Sequence, residues 1–118
     1  MKIKIEAPKE YQEMAARTMN KELTEDQTSA MLAMGLSGEA GEVTDYLKKV
    51  LFHDHIFEDD RLEKELGDVL WYVANLCTHY GYSLEDIMEK NIRKLFLRYP
   101  EGFSAEKSIT RENEGEKQ

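Results

Sequence analysis

The chain has 118 residues, the size of one domain, and a formal net charge of −8. That charge argues against the nucleic-acid backbone as the main partner, yet admits a phosphate ligand wherever a local cluster of metal and Lys or Arg reverses the field. A hydrophobic fraction of 41% beside a charged fraction of 34% suits amphipathic helices with charged outer faces, and no apolar segment approaches the ~20 residues that span a bilayer.

Met1 to Glu6 lacks the continuous apolar stretch of a signal peptide, and the single Cys77 reads as a small buried apolar residue. Both point to a reducing, cytoplasmic setting. Pro8 can open a first helix, behind which Tyr11, Met14, Ala15 and Thr18 share a face. Thr24 with Gln27 forms a capping box for a second helix that runs to Phe52, and Leu32, Leu36, Ala40, Val43, Leu47 and Val50 fall on its core stripe. Gly35, Gly38 and Gly41 each weaken that helix by about 1 kcal/mol relative to Ala. They predict close approach of another helix or of a ligand, or else a break near Gly35.

His53 to Asp60 reads as a loop. A third helix covers Arg61 to Tyr80, with Leu62, Leu66, Val69, Val73 and Leu76 as its core stripe and Gly81 as its C-cap. Ser83 with Asp86 starts a fourth helix, which stops before Pro100. The class is therefore all-α: one domain over residues 1–104 built on about four main helices, then a charged, mobile tail over 105–118 that lacks aromatics.

Two acidic pairs stand out, Glu39 with Glu42 and Glu65 with Asp68. Each pair is spaced i,i+3, so its carboxylates sit one turn apart on one side of a helix, where like charges repel. The second pair lies beside an apolar run, where a lone carboxylate is expensive to bury. Four facing acids need a compensating cation, and hard oxygen ligands suit Mg²⁺, with Mn²⁺ as the alternative. Tyr72, Asn75 and His79 continue the stripe of Glu65 and Asp68, while Tyr46 and Lys49 continue that of Glu39 and Glu42. Asn91, Lys94 and Arg98 share a face of the fourth helix with Leu84, Ile87 and Leu95. Acids on two helices and cations on a third can hold a metal–polyphosphate complex, the acids taking the metal and the cations the phosphate oxygens. The plainer reading of each stripe alone is the border of a solvated face with ordinary ion pairs.

The segments Gly38-Glu39-Ala40-Gly41-Glu42-Val43, Glu65-Leu66-Gly67-Asp68-Val69-Leu70-Trp71-Tyr72 and Asn91 to Pro100 resemble, in order, the MazG-like nucleotide pyrophosphohydrolases of the all-α NTP pyrophosphatase superfamily. The resemblance covers residues 31–108, and 22 residues separate Glu42 from Glu65. It implies a helical bundle whose active site is completed by a partner subunit, in a homo-oligomer that is a dimer or a dimer of dimers. It implies Mg²⁺-dependent hydrolysis of a nucleoside triphosphate to monophosphate and pyrophosphate. Carried over by position, Glu39, Glu42, Glu65 and Asp68 are the metal ligands and the catalytic set. Lys94 and Arg98, joined by Lys49, contact phosphate, and Asn75 and Asn91 contact sugar or base. One set of motifs places the chain with the short single-domain branch, acting without nucleic acid or membrane.

Trp71 reads as core or subunit interface, and His53 with His55 as an exposed loop pair lacking a third metal ligand. A di-iron bundle wants Glu-x-x-His, yet Val50, Phe52 and Leu76 precede the three histidines at that spacing. The non-enzyme rival, an acidic adaptor or a nucleotide-binding protein without catalysis, has no use for four acids retained together with Lys94 and Arg98.

Overall fold

The computed structural model describes residues 1–113. They form five helices and no strand: α1 (Pro8–Ala16), α2 (Glu25–Phe52), α3 (Asp59–Tyr80), α4 (Leu84–Arg98) and α5 (Ala105–Asn113). None of these is long and apolar enough to cross a membrane. The helices fall into two compact units, Met1–Leu84 and the chain from Glu85 onward.

The first unit is an antiparallel α2–α3 hairpin with α1 laid on α3. The capping box starts α2: the Gln27 N–H donates to Thr24 Oγ1 at 3.1 Å, and the Thr24 N–H donates to Gln27 Oε1 at 3.0 Å. The helix then runs 28 residues without a break at its glycines. Among the described residues, a Cβ at Gly35 would overlap the Tyr72 ring, whereas one at Gly38 or Gly41 would meet nothing within 4 Å. Tyr46, buried, ties down the turn into α3. Its hydroxyl accepts from the Glu58 N–H at 2.7 Å and donates to Glu58 O at 3.3 Å, and the Arg61 guanidinium lies 5.0 Å from its ring centre. At the far end Gly81, at φ +75°, closes α3, with the Tyr82 N–H on Cys77 O at 2.7 Å.

Three bonds fix α1 on α3 in antiparallel order. The Trp71 Nε1–H donates to Thr18 Oγ1 at 2.8 Å, Asn75 Nδ2 to Ala15 O at 3.2 Å, and Gln12 Nε2 to Thr78 Oγ1 at 3.1 Å. The Gln12 amide also bonds Tyr82 O (2.9 Å) and the Leu84 N–H (2.8 Å), so one side chain clamps the α3–α4 turn. Beneath lies a core of Ala15, Ala74, Cys77 and Leu84, with Tyr11, Trp71 and Val73 against it.

The core differs from the stripes expected of α2 and α3. Leu32 is fully buried, but Ala40 is exposed, and Leu36, Val43, Leu47 and Val50 are half-buried. None of Leu62, Leu66, Val69, Val73 and Leu76 is buried. The reason lies in how α3 docks. It meets α2 along the line of Arg61, Asp68, Tyr72 and His79, and meets α1 along Trp71, Ala74 and Thr78. Of its apolar stripe, Val73 packs against the core, Leu62, Val69 and Leu76 are half-buried and Leu66 is exposed.

In the second unit, α4 carries its side chains from Glu85 to Leu97 exposed. Residues 105–113, expected within the tail, form α5. Ser104 starts it, taking the Lys107 N–H on Oγ at 3.3 Å and the Ser108 N–H on its carbonyl at 3.1 Å. The rest of the expected tail, 114–118, lies outside the described residues.

Candidate functional site

The hairpin register gathers the acids. Ser29 faces His79 (Oγ to Nε2, 2.8 Å), Gly35 faces Tyr72, and Tyr46 faces Arg61. Each step forward on α2 is matched by an equal step back on α3, so Glu39 falls opposite Asp68. Glu39, Glu65 and Asp68 accordingly each offer a carboxylate oxygen, the three lying within 4.8 Å of one another. Like charges at 4.8 Å repel by roughly 1 kcal/mol in water and several-fold more at the lower dielectric of a protein surface.

Little inside the unit offsets that repulsion. Arg61 Nε stands 3.9 Å from Glu65 Oε1, and among the described residues Glu39 and Asp68 have no ion pair. The Glu39 carboxyl is pushed above its usual range, first by desolvation, then by the charges of Asp68, Glu65 and Glu42, and by a hydrogen bond to Glu65 that only its protonated form can donate. Without a cation, therefore, the cluster favours a proton at Glu39. Three hard oxygen donors from two helices, mutually repelling and short of counter-charge, fit a small divalent cation.

The other expected residues fall in different places. Glu42 is exposed, and its oxygens are not among the three that converge, although its charge reaches Glu39. Lys49 pairs with Asp45 at 2.9 Å, about 15 Å further along α2 than Glu39 by helical rise. Asn75 is fully buried in the α1–α3 seam, its Nδ2 donating to Ala15 O at 3.2 Å and its Oδ1 without a hydrogen-bond partner among the described residues. Asn91 and Lys94 are exposed on α4, and Arg98 is half-buried with its Nε lacking a hydrogen-bond partner among the described residues. Trp71 packs on the core as expected. His53 and His55, both exposed, join no group of three metal-ligating side chains among the described residues.

Tyr11 is a neighbour of the site that the sequence does not announce. Burial, and next the charge of Asp68, raise its phenol above the ordinary value. No local spacing signals this, because the proximity comes from how α1 docks on α3.

Known proteins match over the same region. The profile of the MazG nucleotide pyrophosphohydrolase domain aligns with residues 27–103, a span that holds both acidic pairs together with Lys94 and Arg98. The Gene 37 protein of Mycobacterium phage L5 is 40% identical over 75 residues, covering 60% of this chain and 66% of that protein. The chain thus spans just under two thirds of that relative's length. No solved structure matches the chain.

Proposed function

The chain belongs to the MazG nucleotide pyrophosphohydrolase domain family, and on that premise we propose that it cleaves the α–β anhydride bond of a nucleoside triphosphate with water, releasing monophosphate and pyrophosphate. The observation that carries this reading is the convergence of Glu39, Glu65 and Asp68 from two helices. These three would hold Mg²⁺ or Mn²⁺, and Glu42, one turn along α2, would join them. When bound, the cation supplies a Lewis acid that polarises a phosphoryl oxygen and offsets charge on the pyrophosphate.

The cationic side chains of α4 complete the proposal. Lys94 and Arg98 lie four residues apart on that helix and would take phosphate oxygens, Arg98 as a two-pronged donor. Asn91 shares their face and would reach the nucleoside. A homo-oligomer fits the apolar residues of α2 and α3 that α1 leaves uncovered, Leu66 and Leu70 being 51% and 46% exposed.

Pyrophosphate release from a panel of ribo- and deoxyribonucleoside triphosphates, with Mg²⁺, Mn²⁺ or EDTA, tests the reading. Metal-dependent turnover of at least one triphosphate is expected. Metal-dependent binding without pyrophosphate would favour a non-catalytic nucleotide-binding protein, and release that persists in EDTA would reject the metal site.

A further inference from the structure

Gly35 and Tyr72 form the rung of the hairpin next to the carboxylates. Gly35 precedes Glu39 by four residues on α2, and Tyr72 follows Asp68 by four on α3, so one turn, about 6 Å of rise, separates the two contacts on each helix. A Cβ at position 35 would overlap the Tyr72 ring at Cδ1, Cε1 and Cζ. The ring is backed by Trp71. Trp71 stands edge-on to it, with centroids 4.8 Å apart and planes at 82°, and the Trp71 Nε1–H is held on Thr18 Oγ1 at 2.8 Å. An added methyl group must therefore displace either the ring, against Trp71, or the helix axes.

We propose that the Gly35–Tyr72 contact is the spacer that fixes the separation of α2 and α3 at the carboxylate cluster, which makes both of them positioning residues for the cation. A wedge at this rung opens the next one, where Glu39 meets Asp68. Mg²⁺ tolerates little departure from its preferred ligand geometry, so a small opening weakens binding disproportionately. Gly38 and Gly41 provide the contrast within the same helix: a Cβ at either position would meet nothing within 4 Å among the described residues, so they have no such part. The proposal rests on the metal-binding reading of the site and adds what holds that site at its working spacing.

The test compares Gly35→Ala, Gly38→Ala and Gly41→Ala, each first verified as folded by circular dichroism. Mn²⁺ alone is titrated and followed by its electron paramagnetic resonance, with Mg²⁺ as competitor. Gly38→Ala and Gly41→Ala should keep wild-type affinity, while Gly35→Ala weakens it about 10- to 100-fold, the range seen when groups supporting metal ligands are lost. Should Gly35→Ala fail to fold, Tyr72→Leu and Gly35→Ala/Tyr72→Leu replace it. The shorter side chain leaves room for the methyl group, so the double variant should bind Mn²⁺ more tightly than Tyr72→Leu alone. Wild-type affinity in a folded Gly35→Ala, or a double variant no tighter than Tyr72→Leu, overturns the spacer while leaving the metal site standing. A wild-type protein that binds no Mn²⁺ overturns both.

Discussion

At Glu39 the local field is set by desolvation and three other carboxylates, all pushing its pKa upward. In metal-free protein the native state then holds the Glu39 proton more tightly than the unfolded chain does. Stability should fall as pH rises from the ordinary value of 4.5 through the raised one, and level off above it. Melting in EDTA across that window should show the slope, and Glu39→Gln should flatten it, melt higher near neutral pH, and abolish turnover. An unchanged slope would remove Glu39 from the cluster. Asn75 makes the opposite case. Asn75→Ala loses the bond to Ala15 O and should cost about 1–3 kcal/mol of stability, with kcat/KM of the folded fraction unaltered; a large loss in kcat/KM would return it to the substrate. Arg98→Ala should lower kcat/KM roughly 10- to 150-fold, the worth of a charge-assisted hydrogen bond, and Arg98→Lys should recover only part of it. Unchanged kinetics in Arg98→Ala would take it out of the active site. The two acidic pairs are legible in the sequence because i,i+3 spacing is a local signal. That Glu42 stays apart from the other three is not, since it depends on which flank of α2 meets α3.

Among the helices, the parts that sequence specifies correctly are those set by local chemistry. Thr24 and Gln27 make their box, Gly81 takes the left-handed conformation at the end of α3, and α4 stops ahead of Pro100. Thr24→Ala should therefore cost about 1 kcal/mol, seen as a lower urea midpoint at an unchanged slope. An unaffected midpoint would mean that tertiary packing alone holds the start of α2. Two features are not legible in this way, for different reasons. The composition of the segment after Ser104 argues for a solvated tail, while Ser104 capping and a helix-compatible order of residues give α5. Periodicity marks the apolar stripes of α2 and α3 as core, but it identifies an apolar face without saying what covers it. In α3 the line that meets α2 is instead the one holding Asp68, Tyr72 and His79, with Gly35 as the notch that admits a ring.

For the molecule as a whole, that placement leaves apolar surface to be accounted for. In an antiparallel pair of right-handed helices, the flank carrying Leu36, Val43 and Leu47 on α2 and the flank carrying Leu62, Leu66 and Val69 on α3 turn to the same side of the hairpin. The bonds of Thr18, Ala15 and Gln12 hold α1 on the other side of α3. A two-helix-wide apolar face of this kind is what a second hairpin would bury in a symmetric four-helix arrangement. Sedimentation should accordingly give a dimer or a dimer of dimers; an active monomer of 13.7 kDa would refute it. Leu70→Lys sharpens the test. Leu70 is 46% exposed, so the substitution should change the stability of an isolated chain by no more than about 0.5 kcal/mol. Buried against a second copy, an unpaired ammonium costs far more, and the variant should sediment as monomer while keeping its helical content. If the catalytic site is completed by the partner, that monomer loses pyrophosphate release in proportion to its dissociation, and raising the protein concentration restores both together. A monomeric Leu70→Lys with full turnover would show instead that one chain carries the whole site.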